Sequence, residues 1–372
     1  MTHLIAFNLL YIGKGNLTGP GYYGAELVKA FSRLPEVLAG KYRVCCYIQP
    51  EAHHHFADLP PTWLTECRDL GGRLSRVLYE QIALPLRARH DGVDLLFSPA
   101  FVSPLIGAPH LVVGICDMYY RAVPELVERF QRQYWRVMIP LSAWRSESII
   151  TISECSGDDI ERYLPYTRGK VTVTPLASRM RRAAVPTVDA MAKRAKPYVL
   201  MVANLTPNKN CEVVVDAVHE VRLRGYDIEF LHVGKDHLRR LEAAIARVGA
   251  NDFVHTLGKV SDTTLAALYE RCLCVVTPSF YEGFGMPAAE AQAMGAALIS
   301  SDRGALPEVT GEGAILFDPT QPTQLADAIH RLIEDPTLRE SLRQRGRTSA
   351  RRFSWERTAR ETFSVFDRIL HG

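Results

Sequence analysis

The chain has 372 residues, of which 47% are hydrophobic and 23% charged, with a formal net charge of +3 at pH 7. This composition excludes extended disorder, and the length suits two domains of ordinary size. Lysine and arginine number 19 against 17 acidic residues up to residue 180, and 25 against 24 after it. Neither half is a basic arm, so no nucleic-acid partner is predicted.

Short apolar runs recur between helix-like segments along the whole chain. Their hydrophobicity is continuous rather than alternating, which indicates strands covered on both faces and therefore parallel sheets with crossover helices. The runs are residues 4–10, 42–49, 95–100, 110–117, 148–153 and 171–177, then 198–205, 228–234, 253–258, 272–279, 296–300 and 314–319. The predicted fold class is α/β, with two Rossmann-like, doubly wound sheets whose strand ends share a central cleft.

Residues 178–197 lie between the two halves and predict a linker, because they are basic and poor in large apolar side chains. The basic side chains from Arg179 to Lys196 could contact an acidic partner, but a solvated hinge is the favoured interpretation.

The eight cysteines form no C-x-x-C pair, and no apolar run approaches the ~20 residues needed to span a bilayer. A cytoplasmic location is predicted.

Residues 280–295 read FYEGFGMPAAEAQAMG and follow an apolar run. Pro287 suits a first helical turn and Gly295 the residue just past a helix end, so the pattern is strand, glycine turn and helix. Such a turn binds anions through backbone amides and the helix dipole, and Lys209 can add a positive charge. Glu282 and Glu290 then fit as acceptors for hydroxyl groups beside a phosphate, which predicts a nucleotide sugar. The alternative is that neither glutamate binds a ligand, with Glu282 an ordinary turn residue and Glu290 a surface helix residue.

The segment 278–309, which contains these residues, resembles the signature of the retaining GT-B glycosyltransferases of the large family four. Its E-x7-E motif would be Glu282 and Glu290. Residues 18–31, 151–160 and 257–272 match further family segments, so the resemblance covers nearly the whole chain. It implies an acceptor-side domain over 1–178, completed by a helix over 356–372, and a nucleotide-sugar domain over 179–355.

The resemblance also implies roles for the residues of the donor site. Glu290 would accept the ribose hydroxyls, and Glu282 would hold the donor hexose or act at its reacting face. Lys209 would neutralise the leaving diphosphate. The backbone amides that would meet the sugar and phosphates belong to Phe284, Gly285 and Met286.

Further contacts are implied at more distant positions. Gly19 and Gly21 would let an N-terminal loop approach the diphosphate, since side chains there would obstruct it. Gly258, Lys259 and Val260 would lie near the nucleotide base.

Two positions depart from the family pattern. Asn204 stands where an arginine is usual, which leaves Lys209 as the clearest phosphate cation and Arg303 as a substitute. Cys116 precedes Asp117 where the family often has His-Asp, and a thiol cannot replace imidazole as a cation at neutral pH. For Cys116 a core position and a cleft-lining position are equally favoured.

The predicted reaction retains the anomeric configuration by attack on the face from which the diphosphate leaves. An inverting reaction would need a general base, and Asp117 is the candidate for it. No D-x-D motif follows a strand, so neither an obligatory metal nor another cofactor is predicted.

Three other functions remain open: a nucleotide-sugar epimerase or a phosphorylase of the same fold, and a non-catalytic sugar-nucleotide-binding subunit. For a transferase, GDP-mannose is the favoured donor and a UDP-hexose the second choice, with a glycan or lipid-linked oligosaccharide as acceptor. Residues 119–145 combine aromatic side chains, Tyr134, Trp135 and Trp144, with arginines at positions 129, 132, 136 and 145. This segment predicts either a peripheral contact with the inner face of the membrane or ordinary packing.

Overall fold

A computed structural model describes residues 2–15, 17, 19–180 and 196–372. The chain divides into two compact units, the first formed by Met1–Leu176 and Ser354–Gly372 and the second by Ala177–Phe353. The predicted linker over residues 178–197 lies outside the described residues from 181 to 195. Its first residues belong to the second unit, where the Met180 side chain is buried in the core.

The secondary structure follows the predicted alternation of strands and helices. The strands are β1 His3–Asn8, β2 Tyr42–Ile48, β3 Leu64–Glu66, β4 Leu95–Ser98, β5 His110–Gly114, β6 Ser148–Thr151, β7 Val171–Val173, β8 Tyr198–Val202, β9 Glu229–Val233, β10 Val254–Gly258, β11 Cys274–Thr277, β12 Leu298–Ser301 and β13 Ala314–Phe317. The α-helices are α1 Gly19–Phe31, α2 Pro35–Leu38, α3 Arg73–Leu78, α4 Leu84–His90, α5 Tyr119–Ala122, α6 Arg129–Arg145, α7 Glu154–Tyr163, α8 Cys211–Leu223, α9 Arg240–Val248, α10 Asp262–Arg271, α11 Met286–Met294, α12 Leu306–Thr310, α13 Pro322–Glu334, α14 Pro336–Ala350 and α15 Trp355–His371. A π-helical turn, Tyr79–Ala83, joins α3 to α4.

Each unit contains one parallel sheet with the strand order of a doubly wound fold. Among the described residues, the first sheet has the order β3-β2-β1-β4-β5-β6-β7 and the second β10-β9-β8-β11-β12-β13. In both, the order reverses between the first strand of the unit and its neighbour, β4 or β11, which creates a crevice at the strand carboxyl ends. The predicted pair of doubly wound parallel sheets is confirmed.

Each of the twelve predicted apolar runs overlaps a strand, but β3 was not predicted. This edge strand has three residues, LTE, and none of them is fully buried. A continuous apolar run marks a strand covered on both faces, and β3 is not covered in that way.

Helix α15 packs on the first unit through aromatic side chains. Phe366 is fully buried, and its ring centroid lies 5.2 Å from that of Phe97 at the end of β4. The Phe363 ring lies 5.9 Å from that of Phe31 in α1. Burial of large aromatic surfaces of this kind dominates core energetics, so the last helix is part of the first unit's core.

No helix in the described part of the chain is both long and apolar enough to cross a membrane.

Candidate active site

The predicted donor residues gather where the strand order of the second unit reverses. Strands β8 and β11 are neighbours, and Lys209 follows β8 while Glu282 follows β11. Because the strands are parallel, both residues lie at the carboxyl edge of the sheet, where doubly wound folds bind their ligands. A shallow pocket that opens to solvent is lined there by Lys209, Glu282, Gly285 and Pro287 among others.

Two asparagines fix the loop that carries Lys209. The buried Asn208 donates its side-chain amide to the Tyr281 carbonyl at 3.3 Å. Asn210 adopts a left-handed conformation, with φ 50° and ψ 50°, and donates to the Pro319 carbonyl at 2.7 Å. Asparagine tolerates this conformation better than most residues. The loop is therefore tied to the segments that follow β11 and β13, and Lys209 is held at a defined place.

Lys209 and Glu282 form an ion pair. The lysine Nζ donates to Glu282 Oε1, and the Ser279 hydroxyl donates to the same oxygen at 2.7 Å. Both partners are mostly buried, with side-chain exposures of 20% and 17%. Both of these bonds reach Oε1 of the carboxylate. The pair is a feature the sequence did not reveal: it places the predicted phosphate cation, Lys209, beside Glu282, the predicted acceptor for a sugar hydroxyl.

The glycine turn after Glu282 leads directly into helix α11. Gly285 has φ +88°, and a Cβ there would lie 2.5 Å from Leu306 Cδ2, so only glycine fits. The helix runs over Met286–Met294 with Gly295 as its C-cap, which confirms the predicted boundaries. Phe284 is buried against Phe353, with ring centroids 5.2 Å apart. The first turn of the helix thus opens at the pocket, where its dipole favours an anion.

Glu290 is not a surface residue, and that alternative is wrong. Its exposure is 4%, and burial raises the pKa of its carboxyl above the usual value. Oε1 accepts from Arg179 Nε at 3.0 Å and Oε2 accepts from the Tyr269 hydroxyl at 3.1 Å. A carboxylate has about four lone-pair sites, so each oxygen keeps capacity for one further hydroxyl donor.

Arg179 corrects the prediction of a wholly solvated hinge. Besides Glu290, it binds Asp262 through an Nη1–Oδ1 contact of 2.7 Å, and its side chain is 18% exposed. A buried carboxylate is tolerated when it is paired and hydrogen-bonded, which is what Arg179 and Tyr269 provide. Nothing in the basic composition of residues 178–197 distinguishes this arginine from its neighbours.

The remaining predicted donor residues lie at the same edge of the second sheet. Gly258 ends β10 with φ +63°, and the exposed Lys259 and half-buried Val260 follow it. Asn204 follows β8, is exposed, and accepts a hydrogen bond from the Lys235 amide at 3.1 Å.

Arg303 is engaged by acidic side chains. It pairs with Asp318 at 3.0 Å and with Asp302 at 3.1 Å. Lys209 is likewise paired, with Glu282, but its side chain is less exposed, at 20% against 48% for Arg303.

The two predicted N-terminal glycines lie in a helix rather than a loop, which corrects that expectation. Helix α1 begins at Gly19, and Gly21 lies in its first turn. A Cβ at Gly21 would lie 3.1 Å from Leu17 Cδ2, whereas one at Gly24 would lie 2.2 Å from the Tyr11 hydroxyl. The tightest requirement for glycine in this segment is therefore at Gly24, a position that the sequence analysis did not single out.

Cys116 and Asp117 follow strand β5. The Cys116 side chain is 5% exposed, and burial raises the pKa of its thiol, so the core position holds rather than the cleft-lining one. Asp117 is half-buried and accepts a hydrogen bond from the Tyr119 amide at 3.0 Å at the start of α5.

A buried carboxyl in the first unit was missed from the sequence. Glu80 lies in the π-helical turn and is 7% exposed, and its Oε2 lies 4.0 Å from Arg76 Nε. Burial raises the pKa of Glu80 to about 7. The turn has no sequence signature, and such turns are frequent at functional sites.

Replacing Glu80 by glutamine is expected to stabilise the protein at pH 8 by about 3 kcal/mol and much less near pH 4.5. The folded pKa is raised, so the ionised carboxyl costs stability, fully above pH 7 and hardly at all below the unfolded value. Urea unfolding at the two pH values measures this, with the exposed Glu125→Gln as control. An equal effect at both would contradict the assignment.

Comparison with known proteins agrees with this geometry. Residues 189–349 match the family described as Glycosyl transferases group 1. The chain is 28% identical over 262 residues to the O-antigen chain mannosyltransferase B of Escherichia coli, covering 67% of this chain and 68% of the relative. It is 31% identical over 228 residues to the MMP alpha-(1->4)-mannosyltransferase of Mycolicibacterium hassiacum, covering 60% of this chain and 54% of the relative.

Solved structures share the fold over nearly the whole chain. Sucrose-phosphate synthase from Thermosynechococcus elongatus gives a TM-score of 0.75 at 20% identity, covering 99% of both chains. HepE of Anabaena, solved in complex with UDP-glucose, gives 0.73 at 16% identity, covering 98% of this chain and 99% of the other. The two doubly wound units share the GT-B fold with these structures.

The match to the group 1 glycosyl transferases lies within the second unit, Ala177–Phe353.

Proposed function

We propose that this glycosyltransferase moves a hexose, with retention of configuration, from a nucleotide sugar to a glycan or lipid-linked glycan. GDP-mannose is the first choice of donor and a UDP-hexose the second. The two relatives described above are named mannosyltransferases, which favours mannose. The observation that carries the proposal is the Lys209–Glu282 pair beside the N-terminus of α11.

The proposed chemistry uses the two members of this pair differently. The acceptor hydroxyl oxygen bonds to the anomeric carbon while the bond from that carbon to the diphosphate oxygen breaks. The acceptor proton passes to the departing diphosphate, which leaves from the same face. Lys209 and the dipole of α11 stabilise the charge that develops on the diphosphate. Glu282 orients the hexose and stabilises the oxocarbenium-like sugar.

The other predicted residues complete the proposed donor site. Glu290 accepts the ribose hydroxyls through the lone pairs that Arg179 and Tyr269 leave available. The amides of the turn 284–286 meet the phosphates, and residues 258–260 lie near the base. No cofactor or obligatory metal is proposed. The cytoplasmic location stays a prediction.

The experiment combines donor choice with product stereochemistry. The protein is incubated with GDP-mannose or a UDP-hexose, each α-linked, and a panel of glycan acceptors. Nucleotide release and the NMR anomeric coupling constants of the product are then measured. We expect an α-glycoside, because no base is needed for attack on the leaving face.

Each other result contradicts a different part of the proposal. A β-glycoside would indicate inversion and direct attention to Asp117 as the base. An isomerised donor formed without acceptor would indicate an epimerase. Donor binding without turnover on any acceptor would indicate a non-catalytic subunit.

A further inference from the structure

Helices α3 and α4, with the π-helical turn between them, expose a line of large apolar side chains. Leu74, Leu78, Ile82 and Leu86 are 70%, 53%, 59% and 60% exposed. Residues four apart share a face of a helix, although each step of four drifts by about 40° in an α-helix. The wider π-helical turn winds more slowly and offsets this drift. The four side chains therefore remain on one side of the segment.

Helix α6 exposes a second apolar line. Phe130, Val137, Leu141 and Trp144 are 66%, 57%, 40% and 67% exposed. Their spacing of seven, four and three residues places them on one face of the helix. Tryptophan is enriched at interfaces where one end of its side chain lies in apolar surroundings and the other end contacts water.

The loop over residues 103–107 joins the two lines. Gln81 donates its side-chain amide to the Ser103 carbonyl at 3.2 Å, and the Ser103 amide donates to the Ser142 hydroxyl at 3.1 Å. Arg145 donates to the Leu105 carbonyl at 3.0 Å. Ile106, which is 56% exposed, lies in this loop. The two helical segments are thus neighbours bridged by the loop, and their exposed apolar side chains together with Ile106 are here called the apolar belt.

The charge on this surface is one-sided. Residues 73–90 and 129–145 contain eight arginines and a single carboxylate, Glu80. Glu80 is buried, whereas Arg89, Arg129 and Arg136 are exposed. A second copy of this chain on the belt would bring a surplus of arginines against arginines, which is unfavourable, because the nearby carboxylates are few and already engaged: Asp91 pairs with Arg87 and the exposed Glu128 caps α6. Anionic lipid headgroups supply the missing charge, and acyl chains accept the apolar side chains.

We infer that the apolar belt is a docking surface for an anionic lipid bilayer. The side chains of Leu78, Ile82 and Trp144 enter the boundary between headgroups and acyl chains, while the exposed arginines contact the headgroups. The inference goes beyond the proposed reaction, because lipid binding can be measured without donor or acceptor. It is compatible with a lipid-linked acceptor, and its failure would leave the transferase proposal intact.

The test is co-sedimentation with vesicles of phosphatidylcholine alone or with about one third phosphatidylglycerol. We expect the full chain to bind the anionic vesicles at least about tenfold more tightly, with affinity falling as salt rises. The double variant Arg129→Gln/Arg136→Gln should lose roughly fivefold for each charge removed. The variants Ile82→Asn and Trp144→Ala should lose binding to both vesicle types.

Matched controls lie elsewhere on the first unit. Leu38 is a 72% exposed leucine outside the belt, and Arg33 is an exposed arginine outside it. Leu38→Asn and Arg33→Gln should bind vesicles like the unchanged protein. Equal binding by belt and control variants, or no vesicle binding at all, would overturn the inference. So would self-association, measured by analytical ultracentrifugation without lipid, that the belt variants abolish.

Discussion

Replacing Lys209 by alanine is expected to lower kcat by about 100- to 1,000-fold. The lysine charge matters most when the diphosphate departs, and loss of one charge-stabilising donor in a closed site costs about 2.7–4 kcal/mol of transition-state stabilisation. Its asparagine-anchored loop keeps the charge in place, so little reorganisation is needed during the reaction. The fold should be little affected, because the bonds that anchor the loop come from Asn208 and Asn210.

Three measurements distinguish this loss of transition-state stabilisation from a non-specific effect of charge removal or a loss of folded structure. Lys196→Ala removes a lysine that pairs with Asp227 on the surface of the same unit, and it should leave kcat unchanged. Lys209→Arg keeps the charge and should recover part of the rate. Thermal unfolding should show that Lys209→Ala is folded. A near-normal kcat for this variant would assign the phosphate charge to another cation.

The local parts of the site could be predicted from sequence because they depend on residues close in the chain. Pro287 and Gly295 mark the two ends of α11, and Gly285 supplies a backbone conformation that other residues resist. The strands around the site are buried on both faces and therefore appear as continuous apolar runs. The doubly wound architecture could be predicted as well, because these runs alternate with helix-like segments along the chain.

The ion pairs between residues that are far apart in the chain could not be predicted in this way. Lys209 and Glu282 are 73 residues apart, and Arg179 and Glu290 are 111 apart. The first pair had a usable signal, since both residues follow strands that a doubly wound order makes neighbours. The second had none, because Arg179 lies in a segment whose composition is that of a linker. Glu80 was missed because a π-helical turn leaves no pattern in the sequence.

The Arg179–Glu290 pair is expected to stabilise the second unit because it neutralises a buried carboxylate. Burial raises the pKa of Glu290, and the charge of Arg179 opposes that shift. Without the arginine, the pKa would rise further and the ionised carboxyl would cost more stability. That cost is present above the folded pKa and disappears as the pH falls below the unfolded value, where both states are protonated.

Arg179→Ala should therefore lower the free energy of unfolding by about 3 kcal/mol at pH 8 and by clearly less at pH 5. Adding Glu290→Gln should restore most of the loss, since it removes the unpaired charge. Arg240→Ala, which breaks a half-exposed pair with Glu212, should cost about 1 kcal/mol or less at either pH. Urea unfolding measures these free energies of unfolding.

Calorimetric titration with the donor nucleotide tests the proposed contact of Glu290 with the ribose. Glu290→Gln alone keeps Arg179 bound to Asp262, so it should stay folded while losing donor affinity. Unchanged donor affinity in that variant would rule out the ribose contact, and a pH-independent loss in Arg179→Ala would rule out the buried-charge explanation.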